Sequence, residues 1–259
     1  MTSVSVRKST PVGVIGLGIM GSAMSANLVK AGFKVFGFDP LAKARTRLKK
    51  AGGQACDGAE EVARQARFIV LSLPSIVALD EVCAELIASK SKGLIVAETS
   101  TLPETAKIRA RDVLAKHGIT LLDCPLSGTG AQALTRDLAV YASGDAKAIK
   151  AFAPVFDGFA RVRYDAGEFG NGIRMKLVAN LLVAIQRAKQ RRAMVDRKNI
   201  AQAWEARNTE VSRCNAAGAS YDGAGVAIDV SQIVGILAAT HMQTVPSRAP
   251  CTHTHGTLP

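Results

Sequence analysis

Aromatic residues are scarce in this chain. They make up 5% of its 259 residues, with a single Trp and three Tyr, and no Phe follows Phe169. Single-stranded nucleic acid is bound largely by stacking bases on such rings. The formal charge of +12 therefore predicts no specific nucleic-acid partner; it suits anionic cofactors and acidic substrates. Long hydrophobic runs are missing too. No stretch of about 18 uncharged apolar residues occurs, so no membrane-spanning helix is expected. Residues 1–11 hold no apolar segment of the kind that drives secretion. Cysteine is sparse and odd in number (Cys56, Cys83, Cys124, Cys214 and Cys251). Such wide spacing excludes a disulfide framework and a paired-cysteine zinc site, and it fits a reducing, cytoplasmic setting. Cys251, His253 and His255 lie close together in a Thr/Pro-rich tail, which offers poor geometry for a ligand set, so no metal is expected.

What is present is organised around the stretch from Val12 to Gly21. Val12, Val14 and Ile15 belong to a β-branched apolar run suited to a buried parallel strand. It breaks at Gly16-x-Gly18-x-x-Gly21 and passes into a helix-compatible segment, Ser22 to Lys30. Gly16 permits the tight turn, Gly18 lets a pyrophosphate approach the backbone, and Gly21 lets helix and strand pack closely. The free N–H groups of that helix then face the phosphates, which assigns Gly16, Leu17, Gly18, Ile19, Met20 and Gly21 to cofactor binding. A second run, Val35 to Phe38, ends in Asp39, which lies 23 positions after Gly16 (39 − 16). That is close to the roughly 20 expected of an acid that accepts from a ribose 2′-OH. Its charge repels a 2′-phosphate, so NAD is expected over NADP, a preference that Lys43, Arg45 and Arg47 soften. The alternative is a glycine turn in some other α/β sheet.

Strand-like and helix-like segments then alternate. Helices are expected over Ala42–Ala51, Glu60–Gln65, Val77–Ser89, Pro103–His117 and Ala146–Phe156, and strands over Phe68–Leu73, Leu94–Ala97, Ile119–Leu122 and Leu138–Ala142. In the helix from Val77, the residues Val77, Val82, Leu86 and Ile87 are expected to share one face. This rhythm predicts an α/β fold, a doubly wound Rossmann-type sheet with its ligands at the carboxyl ends of the strands. From Ile173 to Ala217 there is neither Gly nor Pro. A long helix is expected there, with Met175, Leu177, Val178, Leu181, Leu182 and Ile185 as its apolar stripe. The basic segment Arg187–Lys198 reads as a solvated face, and Val226–Ala239 as a packed helix or strand.

Two loops carry candidate chemistry. In Asp123 to Gly130, Ser127 and the N–H of Gly128 suit a carboxylate; the same loop reads equally as a plain connection. In the second, Lys176 and Asn180 stand four apart on one helix face. A Lys beside apolar residues has its pKa lowered and can exchange protons, while Asn180 suits a substrate hydroxyl or the amine. A surface Lys snorkelling over apolar neighbours is the equal alternative.

In combination these motifs resemble the β-hydroxyacid dehydrogenases, relatives of 3-hydroxyisobutyrate dehydrogenase and of the cofactor domain of 6-phosphogluconate dehydrogenase. The resemblance runs from about Val12 to Ile185. Gly16–Leu28 is similar to the family's dinucleotide signature, and Leu73–Pro74 to its cofactor-contacting Leu-Pro. Glu98–Thr101 resembles its D-x-S-[ST] stretch, with Thr101 at the position that contacts NAD. Asp123–Gly128 resembles its substrate loop, and Lys176 and Asn180 match its KxxxN pair. The resemblance implies oxidation of a small 3-hydroxy acid, or the reverse. Lys176 would be general acid/base, Asn180 its partner, and Ser127, Gly128 and Thr129 the substrate contacts. It also implies a homo-oligomer. Residues 1–166 are expected to form the NAD-binding domain and 167–259 a truncated or aberrant, mostly α region. Family members continue as a longer helical domain with a second active-site lysine. Here the pattern ends near Gln186, and no Lys follows Lys198. A change of reading frame near Ile185–Arg187 is expected to account for this, the alternative being a divergent short form.

Overall fold

The computed structural model describes residues 10–190, which belong to one compact unit. The expected features beyond residue 190, including the frame change, the Val226–Ala239 segment and the Cys/His tail, lie outside the described residues, as does the start of the chain.

Six strands form a parallel sheet: β1 (Pro11–Ile15), β2 (Lys34–Phe38), β3 (Gln54–Ala55), β4 (Phe68–Leu71), β5 (Ile95–Glu98) and β6 (Thr120–Asp123). Their order is β3-β2-β1-β4-β5-β6. The chain starts at the centre, moves to one edge, then crosses to the other half. The helices between them are α1 (Ile19–Lys30), α2 (Ala42–Lys50), α3 (Ala59–Gln65), α4 (Ile76–Ala88) and α5 (Glu104–Ala115). A strand covered on both faces needs apolar side chains at successive positions, and β4 shows the division of labour. Phe68 and Val70 enter one core with Met24 and Leu28 of α1. Ile69 and Leu71 enter the other with Val62 of α3 and Leu79 and Val82 of α4.

Beyond β6 a smaller sheet forms from β7 (Leu126–Ser127), β8 (Ala139–Ala142) and β9 (Val162–Asp165). β7 pairs antiparallel with β8, and β8 parallel with β9. α6 (Gly130–Leu134) and α7 (Ala146–Phe159) connect them, and a final helix, α8, occupies 171–190. Phe152 and Phe156 of α7, with ring centroids 4.7 Å apart, fill the core under α1.

The doubly wound architecture agrees with the sequence reading, and three details differ. α1 starts at Ile19, three residues before the expected Ser22, because Gly18 already turns the chain into the helix. β3, β7 and α6 go unread in the sequence because they are too short to show a period, and β9 because its half-exposed VRYD carries no apolar run. Val77 is 66% exposed, while Leu79, Val82, Cys83 and Leu86 are buried. The buried stripe of α4 is therefore 79-82-83-86, and Val77 falls on the opposite face.

Candidate active site

The glycine loop leaves β1 at the sheet's centre. Gly16 adopts φ +87°, and its N–H donates to Phe38 O at 2.9 Å, tying the turn to β2. A Cβ on Gly21 would lie 1.8 Å from Gly16 O, so α1 packs against the turn too tightly for any side chain. A Cβ on Gly18 would meet nothing within 4 Å. Gly18 is also the N-cap of α1, with no side-chain cap bond and no acid in the first turn. Here a helix N-terminus offers bare N–H groups, and the open space above Gly18 suits a phosphate.

Asp39 follows β2. It is 8% exposed, and its two carboxylate oxygens accept from Leu17 N–H at 2.7 Å and Leu41 N–H at 2.8 Å. These bonds hold the carboxylate beside the glycine loop. Two arginines close the same corner: Arg45 Nη1 donates to Asp39 O at 2.6 Å, and Arg47 Nη2 to Leu17 O at 3.2 Å.

The loops after β4 and β5 are clipped together, since Leu73 N–H donates to Ser100 Oγ at 2.7 Å and Ser100 N–H to Glu98 Oε1 at 2.8 Å. Leu73, Pro74 and Thr101 thereby lie beyond the carboxyl ends of adjacent strands, next to those of β1 and β2. Glu98 itself does not face this rim. Its side chain is buried and pairs with a lysine described below.

The loop from Ser127 to Thr129 returns to the glycine loop through α6. Asn27 Nδ2 on α1 donates to Ala133 O at 2.7 Å, and a Cβ on Gly130 would come within 2.7 Å of Ile19 Cγ2. Gly128 has φ +138°, and a Cβ there would strike Leu138 Cδ2 at 2.6 Å, so the position demands glycine. Thr129 caps α6: its hydroxyl accepts from Gln132 N–H, and Gln132 Oε1 accepts from Thr129 N–H. Ser127 is half-buried and hydrogen-bonded to the Tyr141 hydroxyl; burial pushes the Tyr141 pKa up, and the bond to Ser127 opposes that.

Lys176 is half-buried on α8, and burial lowers its pKa. Asn180, one turn on, is exposed. The residues that join α8 to the sheet were not legible as functional. Lys107 of α5 is fully buried. Its Nζ lies 2.7 Å from Glu98 Oε2 and 2.7 Å from Asp123 Oδ1, both buried as well. Burial alone would lower its pKa, but the two carboxylates outweigh this and raise it. Asp123 Oδ2 accepts from Ile173 N–H at 2.8 Å, and Ser143 Oγ from Gly172 N–H at 3.0 Å. Lys107 stands among Ala106, Ala110 and Leu114, the buried face of α5. A lysine on such a face demands acidic partners, and that was the available signal.

A glycine cradle at the switch of a six-stranded parallel sheet, an acid ending β2 and an open helix N-terminus describe a dinucleotide domain. Residues 11–168 match the NAD binding domain of 6-phosphogluconate dehydrogenase. The chain belongs to the β-hydroxyacid dehydrogenase family. It is 33% identical over 182 residues to 3-hydroxyisobutyrate dehydrogenase of Pseudomonas aeruginosa, covering 68% of this chain and 60% of that one. It is 30% identical over 195 residues to 2-(hydroxymethyl)glutarate dehydrogenase of Eubacterium barkeri, covering 73% and 64%. A solved 3-hydroxyisobutyrate dehydrogenase of Mycobacterium tuberculosis, with L-serine, superposes at TM-score 0.72 and 28% identity, covering 74% of this chain and 66% of that one. The chain thus spans less than two thirds of the length of these relatives. As in the family, NAD is the cofactor the domain is built for, and the open, uncapped start of α1 beside Asp39 fits it. Among the described residues no helix is long and apolar enough to cross a membrane, and no group of acids, histidines and cysteines forms a metal cluster.

Proposed function

We propose that this protein is an NAD-dependent oxidoreductase of the 3-hydroxyisobutyrate dehydrogenase type, interconverting a small 3-hydroxy acid and its semialdehyde or keto acid. The observation that carries this reading is Lys176, half-buried with a depressed pKa, on a helix whose Ile173 N–H is anchored on Asp123 at the carboxyl end of β6. Gly16 to Gly21 and Asp39 would hold the dinucleotide, with Leu73, Pro74 and Thr101 along its length. When bound, the nicotinamide supplies or accepts the hydride. The chain's own residues do the rest. A lowered pKa leaves more of Lys176 as free amine at a given pH, ready to take the proton of the substrate hydroxyl; in reduction its ammonium returns that proton. Asn180 would orient the hydroxyl or the amine. The loop of Ser127, Gly128 and Thr129 would hold the carboxylate through a hydroxyl and backbone N–H donors. The cofactor domain would end near residue 166. Free, buried Cys56, Cys83 and Cys124 are in keeping with a reducing cytoplasm.

A second reading is favoured by α8. Leu177, Val178, Leu181 and Ile185 are 46–60% exposed, and the relatives continue well beyond the length matched. On that reading the chain binds NAD without turnover. One experiment separates the two: titration with NADH and NADPH, followed by absorbance at 340 nm with a panel of small 3-hydroxy acids. Binding with turnover supports the dehydrogenase; binding without it supports the second reading; no dinucleotide binding sinks both.

A further inference from the structure

We propose that Lys107 is a positioning residue for Lys176, acting through Asp123, whose carboxylate it holds in the orientation that starts α8. The inference rests on the reading of Lys176 as the proton-exchanging group.

The argument begins with the start of α8. The first N–H groups of a helix lack partners within it, and those of Gly172 and Ile173 are taken by Ser143 Oγ and Asp123 Oδ2. Neither acceptor is an N-cap side chain; both come from the sheets. Asn171, the first residue of α8, instead donates its Nδ2 to Ala166 O at 2.9 Å. The contact is tight, since a Cβ on Gly172 would lie 2.6 Å from Tyr141 O and 2.7 Å from Asp123 O. The face that Gly172 and Ile173 present to the sheet returns one turn later at Lys176. Burial follows that face: Gly172 and Ile173 are buried, Arg174 and Met175 exposed, Lys176 half-buried, Leu177 and Val178 exposed. The half-burial of Lys176 is therefore set by where α8 begins.

Where α8 begins depends on Asp123. A lone carboxylate can turn about its last bond. Here Oδ1 is pinned 2.7 Å from Lys107 Nζ, which leaves Oδ2 for Ile173 N–H and for the Ser143 hydroxyl at 3.2 Å. Glu98 and Asp123, paired in register at the ends of β5 and β6, would repel each other without the cation between them. One cation against two acids leaves one negative charge in a dry site, and the positive end of α8 sits against it. Without Lys107 two buried carboxylates are left with no cation between them and are driven apart, and Asp123 no longer presents the same oxygen to α8.

The test uses the full chain. Amide exchange would be followed over residues 171–180, and Lys176 titrated by NMR of 13C-dimethylated lysines, its signal assigned with Lys176→Arg. In the wild type Lys176 titrates below an ordinary lysine. In Lys107→Met its midpoint should move back toward the ordinary value, with exchange at Gly172 and Ile173 faster by roughly tenfold or more, as expected for lost hydrogen bonds in a locally opened segment. Lys107→Arg, which keeps the cation, should restore both in large part. Asp123→Asn leaves Lys107 paired with Glu98 and should behave as Lys107→Met does; it decides the matter if Lys107→Met fails to fold. Wild-type titration and wild-type exchange in folded Asp123→Asn would overturn the proposal. Full turnover in Lys176→Met would instead overturn the reading of Lys176 itself, whatever α8 does.

Discussion

Gly18 separates the demands of folding from those of binding. It sits at φ −65° and ψ −157°, an extended conformation open to alanine, and a Cβ there meets nothing within 4 Å. The folded protein therefore has no steric objection to Gly18→Ala. Restricting the unfolded chain should stabilise the protein by about 0.4–1 kcal/mol, a rise in Tm of roughly 1–4 °C for a unit of this size. Cofactor binding should move the other way. The new methyl group stands where a pyrophosphate approaches the start of α1, whose first N–H groups have no side-chain cap. Losing two charge-assisted bonds to phosphate costs about 3–6 kcal/mol net, so Kd for NADH should rise by roughly a hundred-fold or more. Gly21→Ala is the contrast. Its Cβ would lie 1.8 Å from Gly16 O, so it should lose stability and binding together. Calorimetric titration with NADH and a thermal melt read both quantities on the same samples. Unchanged affinity in Gly18→Ala, or a loss of stability there, would refute the assignment of that space to the cofactor.

Other consequences follow from the same geometry. Asp39→Asn keeps an acceptor beside Leu17 N–H and removes the charge, so the NADH/NADPH affinity ratio should shift toward NADPH by about tenfold, or about 1.4 kcal/mol; an unchanged ratio would place the ribose elsewhere. Lys176 has a folded-state pKa below the ordinary 10.5, so the unfolded state binds more protons between the two values. Stability contributed by the neutral amine is thus fully present above 10.5 and is lost as pH falls through the folded value. Lys176→Met should melt higher than wild type near neutral pH, and the gap should close toward pH 10.5; a constant gap would mean the amine is solvated. The exposed Leu177 and Leu181 (56% and 60%) make a surface prone to self-association. Leu177→Glu with Leu181→Glu should reduce association in sedimentation without lowering Tm, and a wild type that already sediments as a clean monomer would contradict this. Translating the gene in its other two frames past Ile185 should restore family-like sequence, and failure in both frames would leave the divergent short form.

Much of the fold is legible because the signals are local. β1 and the glycine turn declare themselves through a β-branched run and three glycines, two of which, Gly16 and Gly21, are demanded by contacts of a few ångströms, while Gly18 leaves open space. Asp39 follows from its spacing. The short elements β3, β7 and β9 are set by pairing with a neighbour, so a single strand's sequence does not announce them. Val77 misleads because several apolar residues in α4 admit more than one stripe, and only the packing against α3 and α5 selects 79-82-83-86.

The sequence alone determined the βα rhythm, the dinucleotide turn, and the candidate pair Lys176 and Asn180, since each depends on residues within one or two turns of chain. Tertiary structure decided how the helix carrying Lys176 is seated. Lys107, Glu98, Asp123 and Ser143 come from four separate stretches, and their meaning lies in distances of about 3 Å across a dry interior. A buried charge is tolerable only when its partners are already in place, and no local pattern records where those partners are.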